Sequence, residues 1–179
     1  MQEVIVGVFD KKTGAEDAIN HLSSEGFTPQ EMSVVLKDSE VGTEIQENTG
    51  ASVAEGMAEG AVTGGVVGGI AGLLIGIGAI TIPGVGALFI AGPLAAALGL
   101  TGAAATTVSG AASGAVAGGL LGGLVGLGIP QEEAVIYENE IKAGGILLAV
   151  PSRGDTNMIT DILTKHGAHQ IRTINVTDY

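Results

Sequence analysis

From Gly60 to Gln131 the chain contains no Asp, Glu, Lys, Arg or His, and this uncharged run limits what it can fold into more than any other feature. Within and around it, glycine recurs at every fourth position, twice. The first series is Gly56, Gly60, Gly64, Gly68, Gly72 and Gly76; the second is Gly110, Gly114, Gly118, Gly122 and Gly126. On a helix, a spacing of four aligns these positions on one stripe, a flat groove that another backbone can approach closely. In water each mid-helix glycine costs about 1 kcal/mol relative to alanine. Two such helices therefore need a packed partner, or lipid, to offset the loss.

The segments of the run differ in character. Ser52-Val53-Ala54-Glu55 matches a capping box ahead of the first apolar stretch. A helix from residue 53 to about residue 80 rises roughly 40 Å. Its uncharged part, residues 60–82, holds ten Val, Ile or Leu. As a helix that part is roughly 34 Å, against a bilayer core of about 30 Å. Residues 102–129 begin with Ala, Gly, Ser and Thr and become strongly apolar from residue 120. Between the two, Pro83, Gly84, Gly86, Gly92 and Pro93 read as the turn of a hairpin. The apolar stretch 87–100 is too short for a straight span and suits a re-entrant or interfacial piece.

Three readings compete: a helical hairpin inserted in a bilayer, a soluble oligomer with these helices at its core, and a flexible linker. The linker is disfavoured, because linkers are polar. Charge-free length favours the membrane. Glu55, Glu59, Glu132 and Glu133 abut the run without Lys or Arg, so the positive-inside signal is missing.

The flanks read as one small α/β domain cut in two, which divides the chain into residues 1–40, 41–130 and 131–179. Residues 3–9 are a Val/Ile-rich strand. Thr13 to Glu16 fits a capping box, Ala15, Ala18, Ile19 and Leu22 share a helical face, and Gly26 stops the helix. Residues 31–37 form a second strand. Pro130 and Gln131 open a helix with Ala134, Tyr137 and Ile141 facing one way. Residues 145–151 are a strand, Asp155 caps a helix bearing Ile159, Ile162 and Leu163 that Gly167 closes, and residues 170–177 are a last strand. Two β-α-β halves make an α+β, ferredoxin-like sandwich, split here by the Gly-striped insert. If both ends of the insert meet in one domain, membrane crossings come in even numbers.

Composition excludes several classes. The net charge is −12, with 12 acids against 3 bases in residues 1–59. Nucleic acid and anionic lipid both need clustered Lys and Arg. With no cysteine, disulfides and thiolate chemistry are excluded. The N-terminal stretch lacks the basic and long apolar regions of a secretory signal, so the α/β domain is expected in the cytoplasm. No phosphate-binding loop occurs, and Gly76/Gly78 and Gly84/Gly86 lack the third glycine of a dinucleotide fingerprint. His166 and His169 lie three apart around Gly167; a metal pair is conceivable there, but a solvated helix end is the simpler reading. Glu132, Glu133, Glu138 and Glu140 form no calcium-type loop. No nucleophile stands beside a base. No catalytic residue, cofactor, metal or small-molecule substrate is expected.

Ile82-Pro83-Gly84-Val85-Gly86, Ala91-Gly92-Pro93-Leu94, and Gly126-Leu127-Gly128-Ile129-Pro130 followed by Glu132-Glu133-Ala134 and Tyr137-Glu138 are more telling. With Gly144 to Val150 they resemble the bacterial general stress and low-temperature-induced protein family. The resemblance covers nearly the whole chain. It implies a role in stress responses and association with membrane, and it supplies no catalytic residues. The expectation is therefore a non-enzymatic stress protein at the cytoplasmic membrane, homo-oligomerising through its glycine stripes. A soluble assembly of the same helices and a ligand-binding ferredoxin-like module are the alternatives.

Overall fold

The computed structural model describes residues 2–28, 31–37, 78–82, 86–93, 120–122, 124–125 and 129–176. The elements run β1 (Gln2–Phe9), α1 (Lys12–Ser24), β2 (Ser33–Lys37), β3 (Gly78–Ile82), β4 (Gly86–Ala91), α2 (Gln131–Lys142), β5 (Ile146–Pro151), α3 (Thr156–Lys165) and β6 (His169–Val176). The six strands form one sheet in the order β3-β4-β2-β5-β1-β6. Every hydrogen-bonded neighbour is antiparallel. Strand β5 lies between β1 and β2, and β1 lies between β5 and β6, so the strands of the two β-α-β units alternate.

Strands β1 and β5 explain the layers. Both are nearly continuous apolar runs, and every residue of β5 is buried. Strands of that kind need cover on both faces. One face carries Ile5, Phe9, Val34, Leu36, Ile146, Leu148 and Val150 and is closed by Ala15, Ala18, Ile19 and Leu22 of α1 and Ile159, Ile162 and Leu163 of α3. The other carries Val4, Val6, Val8, Val35, Leu147 and Ala149 and is closed by Ala134, Tyr137 and Ile141 of α2, with Leu120, Leu124 and Ile129. Helices α1, α2 and α3 end alike. Gly26, Gly144 and Gly167 take positive φ, and the following N–H reaches back to Leu22, Glu140 and Leu163 respectively, the Schellman pattern. The helix starts are less regular. Helix α1 begins at Lys12, ahead of the expected cap Thr13, and neither Lys11 nor Asp155 makes a side-chain cap hydrogen bond.

Two expectations for the uncharged run are corrected. Residues 78–82 are a strand, not the end of a helix beginning at residue 53, and residues 86–91 are its hairpin partner, not a re-entrant piece. The reason is the edge of β2. Without β4, the groups of β2 that face away from β5 would be unpaired, and an open apolar edge invites association. Leu88 and Ile90 alternate inward onto the second face. Accordingly Gly86 opens a strand, and Gly92 follows one; Pro83 and Gly84 lie outside the described residues. The second correction concerns the apolar end of the run. Leu120, Leu124 and Ile129 are 1–3% exposed and belong to the domain core, because α1 and α3 leave that face of the sheet bare. Among the described residues, no helix is long and apolar enough to cross a membrane.

Candidate functional site

The chemistry-bearing side chains gather at the end of the sheet where β1 runs into α1 and α3 returns to β6. A cleft of about 530 Å³ opens there, lined by Phe9, Asp10, Lys11, Thr13, Gly14, Asp17, Lys165, His166 and Gly167. Its floor depends on Gly14. A Cβ at that position would lie 2.6 Å from the His166 carbonyl oxygen, so only glycine lets the start of α1 meet the end of α3.

The three histidines are sorted in a way their spacing conceals. His166 Nε2 lies 3.1 Å from His21 Nδ1, with the rings edge to face and centroids 5.3 Å apart. One ring nitrogen donates and the other accepts, and the tautomers set which is which. His169 Nε2 instead lies 3.1 Å from Asp10 Oδ1. A ligand atom of Glu140, from α2, joins them, and all three lie within 4.8 Å of one another. The expected neighbours His166 and His169 thus serve different clusters. Gly167, at φ +89°, turns the chain between them.

A bulge shapes the second cluster. Val6 pairs with Arg172 and Val8 with His169, so two steps along β1 match three along β6. The extra residue leaves Gln170 at φ +50°, and bulges of this kind re-aim the side chains beside them. Tyr137 of α2 locks the arrangement by donating from its hydroxyl to the Gln170 carbonyl at 3.3 Å. The phenol is 1% exposed. Burial first, then the negative Glu133, push its pKa up to about 12, against a smaller opposing pull from Arg172. Glu133 Oε2 is itself shielded from solvent and has no hydrogen-bond partner among the described residues.

The raised phenol makes a stability prediction with a definite sign. The folded state holds tyrosine neutral up to about pH 12, whereas the unfolded chain ionises near pH 10. Stability from this group is complete below pH 10 and falls as pH rises toward 12. Between about pH 9 and 11.5 the loss is on the order of 2 kcal/mol. Urea unfolding at both pH values should show it. Tyr137→Phe should remove that share of the slope, and an unchanged slope in the variant would refute it.

The opposite end of the sheet is a staple rather than a site. Buried Ser152 donates to Glu3 Oε2 at 2.9 Å, and Thr156 donates to the same oxygen at 3.0 Å. The Ser152 hydroxyl also accepts from the Gly154 N–H, which leaves it no freedom as a nucleophile. Arg153 pairs with Glu31, donates to the Gly26 carbonyl and lies 4.9 Å over the Phe27 ring. These contacts tie the β5–α3 turn to the α1–β2 loop.

Of the expected helix-packing positions, Gly122 lies half-buried in a helical turn. Gly56, Gly60, Gly64, Gly68, Gly72, Gly76, Gly110, Gly114, Gly118 and Gly126 lie outside the described residues. The Asp10, Glu140 and His169 cluster was missed in the sequence, where its members sit in three separate segments.

Fold and sequence together define an α+β sheet domain, covered on both faces and interrupted by an uncharged glycine-rich run. Residues 4–80 match the family model described as the heat induced stress protein YflT domain. The match takes in nearly all of β1, all of α1 and β2, and the first half of β3, and it bears out the resemblance to the bacterial general stress proteins. No curated protein and no solved structure matches the chain.

Proposed function

We propose that this chain is a non-enzymatic stress-response protein that self-associates through its two glycine stripes, with a ferredoxin-like domain as the acidic outer part. The strand order β2-β5-β1-β6 and the interleaved β-α-β units support the ferredoxin-like description.

The observation that carries self-association over membrane spanning is where the run returns to the domain. Lys37 and Gly78 both lie in the sheet, and Pro93 and Leu120 both lie on the same domain, which brackets two excursions of the sequence. Each excursion starts and finishes on one domain, so each would need two crossings or none. Two crossings take roughly 40 apolar residues. In the first excursion Asp38, Glu40, Glu44, Glu47, Glu55 and Glu59 intervene, and only its part from residue 60 to residue 77 is uncharged. The second, from residue 94 to residue 119, is uncharged throughout but far shorter than two spans require. Neither suffices, and protein–protein burial of the stripes is the alternative that the glycine spacing fits.

Light scattering of the full-length protein in buffer without detergent tests the reading. A uniform oligomer is expected, and Gly68→Leu with Gly118→Leu should shift it to smaller species, because a leucine ridge fills the groove. A native monomer, an unchanged mass in the double variant, or recovery only in the membrane fraction would each overturn it.

A further inference from the structure

We propose that Asp10, Glu140 and His169 form a binding site for a divalent first-row transition-metal ion, with zinc as the best fit. Asp10 follows β1 directly, Glu140 lies on α2 and His169 opens β6. Each offers one ligand atom, and the three atoms lie within 4.8 Å of one another. Ligand atoms about 2.0–2.1 Å from a tetrahedral zinc are roughly 3.4 Å apart. The Asp10–His169 separation is already 3.1 Å. Glu140 is half-buried with a flexible side chain, so a small rotation completes the triangle.

The electrostatics point the same way. Asp10 and His169 satisfy one another, but the Glu140 carboxylate has no hydrogen bond or ion pair among the described residues. Two carboxylate oxygens and one imidazole nitrogen converge here. A dication neutralises both carboxylates and takes the imidazole as a neutral donor. Calcium is disfavoured, since it seeks six to eight oxygen ligands. One nitrogen and two carboxylate oxygens suit zinc, with water at the fourth position of this half-exposed site.

The surroundings hold the ligands in place. Tyr137 stands one turn before Glu140 on α2, and it bonds the carbonyl of Gln170, the residue after His169. One contact thereby fixes the helix that carries the second carboxylate against the strand that carries the imidazole. The bulge at Gln170 sets the direction in which His169 leaves the sheet. A bound ion would tie β1, α2 and β6 together, elements far apart in sequence.

Calorimetric titration of the full-length, chelator-treated protein with zinc chloride tests the site. One ion per chain is expected, and cobalt(II) should give the visible absorption of a tetrahedral complex. Asp10→Asn, Glu140→Gln and His169→Ala should each weaken zinc binding at least about tenfold. His21→Ala, which touches the other histidine pair, should leave binding unchanged. The first two variants are near-isosteric at accessible positions, and matching far-UV circular dichroism establishes that they fold. No binding by the native chain, undiminished binding in Glu140→Gln and His169→Ala, or loss of binding in His21→Ala would overturn the assignment.

Discussion

Gly92→Ala is expected to destabilise the domain by about 4 kcal/mol or more, the range that marks a steric failure rather than a lost contact. Gly92 has φ +82°, and a Cβ there would sit 2.0 Å from the Met32 carbonyl oxygen and 2.8 Å from the Ser33 Cα. Both obstacles are backbone, and Met32 and Ser33 are fully buried, so neither can step aside cheaply. The clash falls where β4 leaves β2, immediately after the Val34–Ala91 pair. Relief therefore requires the β3–β4 hairpin to peel away, which exposes Leu88 and Ile90. Gly154→Ala isolates the steric part. Gly154 has φ +93°, but nothing lies within 4 Å of its added Cβ. That variant bears only the left-handed backbone cost of about 1–2 kcal/mol. Urea midpoints at equal slope report both values. Amide exchange should locate the Gly92 loss in β2 and β4. Equal destabilisation by the two substitutions would mean that the β2–β4 packing described for Gly92 is wrong.

The contrast between those glycines bears on what a sequence discloses. The flanking elements were legible because local signals agreed with one another. Ala15, Ala18, Ile19 and Leu22 share a helical face ahead of Gly26, and Ile159, Ile162 and Leu163 do so ahead of Gly167. Strand bounds were off by a residue or two, as at Ser33, where the expected strand began at Glu31. Strands β3 and β4 were not legible in the same way. A short apolar stretch bounded by glycine and proline suits a strand, a buried helix or a lipid-facing piece equally. The uncharged surroundings of residues 78–91 tilted that choice toward lipid. The apolar run Ile146 to Pro151 did signal a second covering layer, which α2 with Leu120, Leu124 and Ile129 supplies, but it carried no signal for two further strands beside β2. The Asp10, Glu140 and His169 cluster had no such signal. It depends on β1 pairing with β6 through a bulge, and on α2 crossing the sheet, neither of which leaves a local pattern. Spacing was even misleading, because His166 and His169 are neighbours in the chain and partners of different residues in the fold.

Leu124→Ala separates the two fates of the apolar end of the run. Leu124 is 1% exposed and belongs to the cluster formed with Val4, Val6, Val8, Val35, Leu147 and Tyr137. Truncating a buried leucine removes its transfer free energy and leaves a cavity, so a loss of about 3 kcal/mol is expected. The neighbouring Val125 is 40% exposed. Val125→Ala should change stability by no more than about 0.5 kcal/mol. A helix facing lipid or a sister subunit gives a different pattern. Leu124 would then contribute nothing to the unfolding of a dilute, detergent-free domain, and its substitution would act on assembly instead. Urea unfolding at two protein concentrations distinguishes the cases. A midpoint lowered equally at both concentrations places Leu124 inside its own domain. A midpoint shift that vanishes on dilution places it in an interface, and no shift at all detaches residues 120–129 from the sheet. Only the first outcome is compatible with a β1 whose Val4, Val6 and Val8 are almost wholly removed from water.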